Sequence, residues 1–402
     1  MFQSFKDLNA WFKDPYTYLD HQYQLKGDSF ILDLPMMRGT LLTSNPDHIE
    51  SISKNPSLIG GIGSQFLHHL IGESVITQFG EEHALTRKKL NNEFLLNIDY
   101  DKIKHLSVKS TEHYLSQLKS GEIISMSEWA NQITLRTIIE FLLGEENNDH
   151  KLELYNLVIE WKKSLTNSAY FFIKPMQINF SKNLGWGKFI HLRKELHQLI
   201  HNQIINCPKN DSFLAKMIYD YQWNSKKVLE EFISILMFGH DTSAIIIAWW
   251  TAHLLENNLW QNSLTDKSIE SSLKEATRLT PPVVHLTRVA TKDLSIGQYD
   301  IQKNQRVFPC IYLSHMNSKV FPDPKKFILN RFEDKNYSSN VYYPFGFGDR
   351  ICLGKKFAEI QTLEIAKILL AEKKFEFKKS APKPVRQFFL MVPEHGTLVK
   401  VL

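Results

Sequence analysis

Cysteine is scarce in this chain: Cys207, Cys310 and Cys352 are the only three in 402 residues, and no two form a CxxC pair. An odd number at wide spacing excludes a disulfide framework and a structural zinc site, and it predicts a reducing, cytoplasmic setting. The N-terminus, MFQSFKDLNAWFKDPYTYLDH, lacks a basic-then-apolar leader and the roughly 20 apolar residues that a membrane span requires. A soluble protein is expected, with Phe2, Phe5, Leu8 and Phe12 forming the apolar stripe of a short helix that packs on its own domain. Charge of one sign is not concentrated either. The 48 Lys and Arg are interleaved with 43 Asp and Glu, so the net +5 does not point to nucleic acid. No Gly-, Ser- or Pro-rich linker divides the chain, and no internal repeat is visible. The sequence therefore predicts one domain over residues 1–402.

What is present is mostly helical periodicity. Two short apolar runs between Asp28 and Asn45, parted by Pro, Arg and Gly, predict a strand pair. Apolar positions at helical spacing follow from Pro46 to Ser53, Glu81 to Phe94, Asp101 to Leu118, Met126 to Leu143, His150 to Leu165 and Lys188 to Asn206. Leu165 to Trp186 blurs that period and reads as a long connection. The longest helix is expected from Lys226 to Asn257, capped by Ser225 and buried on most sides. Strands return around Thr287–Ile301 and Arg306–Leu313, before a closing helix and hairpin. The fold class is mainly α with small β-sheets.

Chemistry is concentrated around Cys352. In PFGFGDRICLGKKFA, glycines crowd the approach to one cysteine and a helical pattern follows it. Glycine accepts positive φ and lets the backbone come close to a flat group. Backbone N–H groups and a helix N-terminus there would favour a thiolate. Three other segments stand out. Glu275 and Arg278 share a helix face at i, i+3 spacing, as any surface ion pair can. His83 and Arg87, at i, i+4, share another, which by itself could be a solvated basic face. Gly239-His240-Asp241-Thr242 places an acid and an alcohol inside an apolar helix, which is costly unless they are hydrogen-bonded. A helix kink held by polar side chains is the plainer explanation.

The spacing Phe345-x-x-Gly348-x-x-x-Cys352-x-Gly354 resembles the haem-ligand signature of the cytochrome P450 family, and the other three segments lie in that family's order along nearly the whole chain. The resemblance implies a single large helix-rich domain enclosing haem b, with Cys352 as the axial thiolate of the iron. It implies that His83, Arg87, Arg288 and Arg350 hold the haem propionates, and that Glu275, Arg278 and Arg331 brace the cysteine loop. Asp241 and Thr242 would relay protons, with the Thr242 hydroxyl opening the helix by bonding a carbonyl one turn back. Phe238 departs from the family pattern, which has Ala or Gly before Gly239, and is expected near the iron.

The implied activity is a monooxygenase that inserts one oxygen atom from O2 into a hydrophobic small molecule. Its pocket would be lined by Leu70, Ile71, Val75 and Ile76, by Phe171 and Phe172, and by Leu236 and Phe238. Val283, Val284, Leu286, Leu390 and Met391 would complete it, although all of these are also ordinary core residues. With no reductase expected in the chain, electrons would come from a ferredoxin or flavodoxin docked on Lys88, Lys89, Lys355 and Lys356. Peroxide-driven or oxygen-independent chemistry is the alternative that Phe238 motivates. A haem-binding sensor without turnover is a third.

Overall fold

A computed structural model describes residues 2–402 apart from 36, 62–66, 146–148, 166–176, 178–180 and 261–262. The N-terminal helices α1 (Phe2–Lys13) and α2 (Pro15–Lys26) are separated by Asp14, whose carboxylate accepts from the Thr17 N–H at 3.1 Å. Among the described side chains of α1, which exclude those of Phe2 and Phe5, the buried one is Trp11, at 1% exposure, whereas Phe12 is 46% exposed. The expected stripe is thus turned: Leu8 and Trp11 face the protein and Phe12 faces outward.

Strands β1 (Ser29–Leu32) and β2 (Thr40–Thr43) form the expected antiparallel pair. They are joined by distant segments: β3 (Leu58–Ile59), β5 (Arg288–Ala290) and β8 (Arg306–Pro309) complete a five-stranded sheet in the order β1-β2-β8-β5-β3. The β2–β8 pair is parallel, with Leu42 opposite Phe308. Beyond β8 the chain turns helical at Ile311–His315 rather than continuing extended to Leu313. Smaller sheets are β4 (Ile123–Ser125) with β12 (Leu398–Val401) and β9 (Phe375–Phe377), the pair β6 (Leu294–Ile296) and β7 (Tyr299–Ile301), and the hairpin β10 (Pro384–Gln387) and β11 (Leu390–Pro393).

The remainder is helical, α4 apart as the periodicity predicts: α3 (Pro46–Lys54), α4 (His68–Ile71), α5 (Gly80–Asn91), α6 (Tyr100–Leu115), α7 (Met126–Leu143), α8 (Asp149–Ser164) and α9 (Gly185–Ile205). These are followed by α10 (Ser225–Phe238), α11 (Asp241–Glu256), α12 (Asp266–Leu279) and α13 (Lys355–Glu372). Ends are set by local chemistry. Ser125 caps α7 by accepting from Glu128 N, and Gly144 ends it at φ +86. Helix α11 is apolar on every side and accordingly buried, with Ile247 and Trp250 packed among Trp129 and Ile133 of α7, Leu273 of α12 and Ile365 of α13.

The long helix expected from Lys226 to Asn257 is in fact two. It breaks at Gly239 and His240, and its N-cap is Asn224, which accepts from Lys227 N at 2.9 Å, not Ser225. Ser225–Glu256 is apolar enough to cross a membrane by length and composition, but 72% of its most apolar window is buried inside the protein, which makes it a core element.

Candidate active site

The segment after Tyr343 is a tight loop ending at α13. The Cys352 N–H donates to Phe345 O at 2.7 Å, which closes the loop on itself, and Gly346 and Gly348 carry φ of +74 and +66. Those two positions need glycine. Gly354 does not need it for conformation: its φ is −81, and a Cβ there would meet no protein atom within 4 Å. Close packing at Gly354 is therefore not against the polypeptide. The Cys352 side chain is exposed, yet surrounding protein desolvates it. That desolvation raises the thiol pKa, opposed by the Gly354 N–H and by the charges of Arg87 and Lys355. A neutral thiol results unless a metal takes the proton's place, because a coordinating thiol is deprotonated outright.

Four basic side chains converge beside this loop. Arg87, on α5, donates to Ile351 O at 2.5 Å and to Asn91 Oδ1 at 2.6 Å. Arg350 donates to Val75 O at 3.1 Å and Gln78 O at 2.5 Å. Arg288, on β5, lies over the Phe347 ring at 5.2 Å and within 3.4 Å of its carbonyl. His83 is 4% exposed, and its Nε2 has no hydrogen-bond partner among the described residues; nor has Arg350 Nε. Burial, with the nearby Arg350 charge, pulls the His83 pKa down to about 4, so the ring is neutral at pH 7. Burial also lowers Arg350 to about 10, and burial lowers Arg288 and Arg87. The carboxylate that eases this crowding is Asp349, two-thirds exposed and 4.0 Å from Arg350. Three guanidinium groups against one solvated acid leave an excess of positive charge, and buried nitrogens await acceptors. A dianionic, flat group with a thiolate-binding metal fits this donor set.

Behind the loop, Glu275 on α12 is fully buried. Its carboxylate takes both Arg278 Nε (2.7 Å) and the second Arg278 nitrogen (2.9 Å), Arg331 Nε (2.9 Å) and the Ile328 N–H (3.1 Å). Arg278 also donates to His315 O at 2.8 Å, and His315 Nε2 accepts from Tyr343 N at 3.2 Å. The triad thus connects to the start of the cysteine loop through His315.

Asp241 and Thr242 open α11 directly after the break. The side chain that takes the carbonyl one turn back is His240, not Thr242: His240 Nδ1 donates to Leu236 O at 2.6 Å. With Nδ1 as donor, His240 Nε2 accepts from Lys162 Nζ at 3.0 Å. Lys162 also donates to Asp241 and, at 3.3 Å, to Asn131 Oδ1, which satisfies all three of its N–H groups. Asn131 Nδ2 bonds Asp241 Oδ1 at 2.6 Å. Burial raises the Asp241 pKa, but His240, Lys162 and Asn131 outweigh it and hold the carboxyl below its ordinary range. Sequence reasoning missed Lys162 and Asn131, which lie far away in the chain. His240 had the same signal as Asp241, a polar group in an apolar helix.

Phe238, the last residue of α10, has its ring 5.8 Å from Phe389, which lies 4.8 Å from Phe388 at the β10–β11 turn. Of the expected pocket residues, Leu70, Ile71, Val75, Leu236, Val284 and Met391 are buried in core clusters, while Ile76, Val283, Leu286, Phe238 and Leu390 are only partly buried. Leu70, Ile71, Leu236, Val284 and Met391 pack among apolar neighbours with almost no free surface. Phe171 and Phe172 lie outside the described residues.

The sequence matches the family described as "Cytochrome P450" over residues 8–268 and 267–401. It is 23% identical over 412 residues to cytochrome P450 135A1 of Mycobacterium tuberculosis, covering 96% of this chain and 90% of that protein. It is 26% identical over 216 residues to the beta-amyrin 28-monooxygenase CYP716A379 of Saponaria officinalis, covering 48% of this chain and 42% of the relative. Among solved structures, CYP175A1 from Thermus thermophilus superposes with a TM-score of 0.80 at 20% identity, covering 96% and 95% of the two chains. Cyanobacterial CYP120A1 with retinoic acid bound gives 0.78 at 19%, covering 96% and 94%. The chain belongs to the cytochrome P450 family. It is a haem-thiolate oxidoreductase of the monooxygenase type, and its cofactor is haem b.

Proposed function

We propose that this protein inserts one oxygen atom from O2 into a hydrophobic small molecule, using electrons from a separate ferredoxin or flavodoxin. The observation that carries this reading is the juxtaposition of the Cys352 loop with a cationic cradle of His83, Arg87, Arg288 and Arg350. Haem bound there supplies oxygen activation, with thiolate electron donation favouring O–O cleavage. Arg87 fixes the loop through Ile351 O, while His83 Nε2 and the guanidinium groups of Arg288 and Arg350 would hold the propionates. Asp241, held at the helix break by Lys162, and the Thr242 hydroxyl relay protons toward the reacting centre. Phe238, Phe389 and Ile76 offer partly buried apolar surface to the substrate.

Lys88, Lys355 and Lys356 lie on or beside the elements that carry Arg87 and Cys352 and suit an acidic partner. Lys89 is otherwise engaged: it donates to Tyr221 O at 2.8 Å and lies over the Tyr221 and Trp223 rings. The test is the optical difference spectrum of the reduced protein with carbon monoxide. The long-wavelength thiolate band is expected in the wild type and absent in Cys352→Ala; haem bound without that band in the wild type overturns the reading. A second reading, peroxide-driven or oxygen-independent chemistry, is favoured by the ion pair that occupies Asp241. Thr242→Ala separates the two: it should uncouple electron use from product under the first and leave product yield unchanged under the second.

A further inference from the structure

Arg193 and His197 stand one turn apart on α9, at the border of its buried stripe of Phe189, Leu196 and Ile200. Arg193 Nε and His197 Nε2 are both buried, and neither has a hydrogen-bond partner among the described residues. Such groups are costly to leave unmet, a guanidinium most of all. Glu230 of α10 acts on Arg193 through space but makes no hydrogen bond to it. Glu230 instead packs against Gly72, where a Cβ would come within 2.5 Å of its Oε1, and faces Lys226 at 4.0 Å. The third wall is α4: His69 meets the Trp186 ring edge-on at 5.4 Å and feels the Arg193 charge. Burial lowers the pKa of Arg193, and burial with the Arg193 charge brings His197 to about 4, so His197 is a neutral partner and does not add a second charge.

Apolar residues of one cluster lie beyond this polar corner. Helix α10 runs from Glu230 to Phe238, eight residues or about 12 Å along the axis, and the break with Asp241 and Thr242 follows directly. Ile190, Ile76, Phe238 and Phe389 are all partly buried on the same hydrophobic cluster. We propose that Arg193 and His197 form a carboxylate-binding subsite, and that the substrate is an amphiphilic acid whose apolar body runs along α10 toward the helix break. This rests on the oxygenase reading above. Arg193 offers paired N–H donors matched to a carboxylate, and His197 Nε2 supplies a further donor in the tautomer that protonates it. The carboxylate is anchored at one end, so the carbons presented for oxidation are those remote from it.

The experiment compares hexadecanoic acid with its methyl ester on the haem-loaded full chain, by optical titration and by calorimetry. The wild type should bind the acid at least about tenfold more tightly, as expected for charge-assisted hydrogen bonds in a desolvated site. Arg193→Gln should abolish that preference while leaving ester affinity within about twofold, which also shows that the variant is folded. His197→Phe should reduce the preference by a smaller factor. Equal binding of acid and ester by the wild type, binding of neither, or a preference that survives Arg193→Gln overturns the proposal. The carbon monoxide band, recorded on the same samples, keeps the two readings apart. Its absence in the wild type counts against the oxygenase, whereas calorimetry still reports the carboxylate site.

Discussion

Lys162, in the last turn of α8, places its ammonium against the carboxylate of Asp241, 79 residues later at the break between α10 and α11. Both side chains are partly exposed, at 21% and 26%, so the pair is screened and its contribution to stability is modest. Its greater effect is on geometry, because the same ammonium holds His240 Nε2 and Asn131 Oδ1. Lys162→Met should cost only about 1 kcal/mol in urea unfolding but lower the yield of product per electron consumed. A yield equal to that of the wild type removes Lys162 from proton delivery.

Removing the acid at the centre of the triad is far more damaging. Glu275→Gln leaves Arg278, fully buried, and Arg331, nearly so, without a counter-charge. The expected loss is about 3–5 kcal/mol, together with poor haem retention, since Arg278 also supports His315 and through it Tyr343. Urea unfolding and haem content per chain check both parts.

Acid should destabilise the protein through its buried imidazoles. Burial lowers His240, His253 and His285 to about 4 and His315 to about 3, from 6.5. Below pH 6.5 the unfolded chain binds protons that the folded chain refuses, so stability rises with pH across this window. It is complete above about pH 6.5 and is lost progressively as pH falls toward 4. His315→Gln keeps an acceptor for the Tyr343 N–H but cannot charge, so its unfolding free energy should vary less between pH 7 and pH 5 than that of the wild type.

The two glycines flanking the cysteine separate backbone from cofactor effects. At Gly346, φ is +74 and the nearest atom to a Cβ is 3.6 Å away, so Gly346→Ala meets backbone strain alone, about 1–2 kcal/mol. Gly354→Ala, at φ −81 with open space around it, should leave urea unfolding of the polypeptide within about 0.5 kcal/mol. A fall in haem affinity in that variant measures contact with the cofactor itself.

Lysines at the docking face divide by what they already hold. Lys88→Glu and Lys356→Glu should slow reduction by an acidic ferredoxin with little change in thermal midpoint. Lys89→Glu should instead lower the midpoint, because Lys89 anchors Tyr221 and Trp223. Stopped-flow reduction and thermal melts distinguish the two; unchanged reduction rates in all three variants exclude this face as the docking surface.

Helix positions were readable from periodicity because burial on one face repeats every 3.6 residues. Met126–Leu143 is the same in sequence and structure. The break at Gly239 and His240 was legible as a kink held by polar side chains, but its agent was not: the bond runs from His240, not Thr242, to Leu236 O. The cysteine loop was legible as a local pattern of glycines at fixed spacing. The partners of Asp241 and of Arg350 were not: Lys162, Asn131 and the carbonyls of Val75 and Gln78 are brought in by tertiary packing and leave no trace in local spacing. Pocket lining was the least legible, since residue type does not separate buried from partly buried positions: Leu236 and Leu390 are the same amino acid.

The parallel pairing of β2 with β8 places Leu42 beside Phe308 across most of the chain. A ribosome adding about 5–20 residues per second needs roughly a quarter of a minute to a minute to make the intervening polypeptide. During that time the first two strands have no neighbour on their β2 edge, and the backbone N–H and C=O groups that will later pair with β8 are open to other chains. Production of this enzyme in a host should therefore depend on holdase chaperones during synthesis more than on those that act after release.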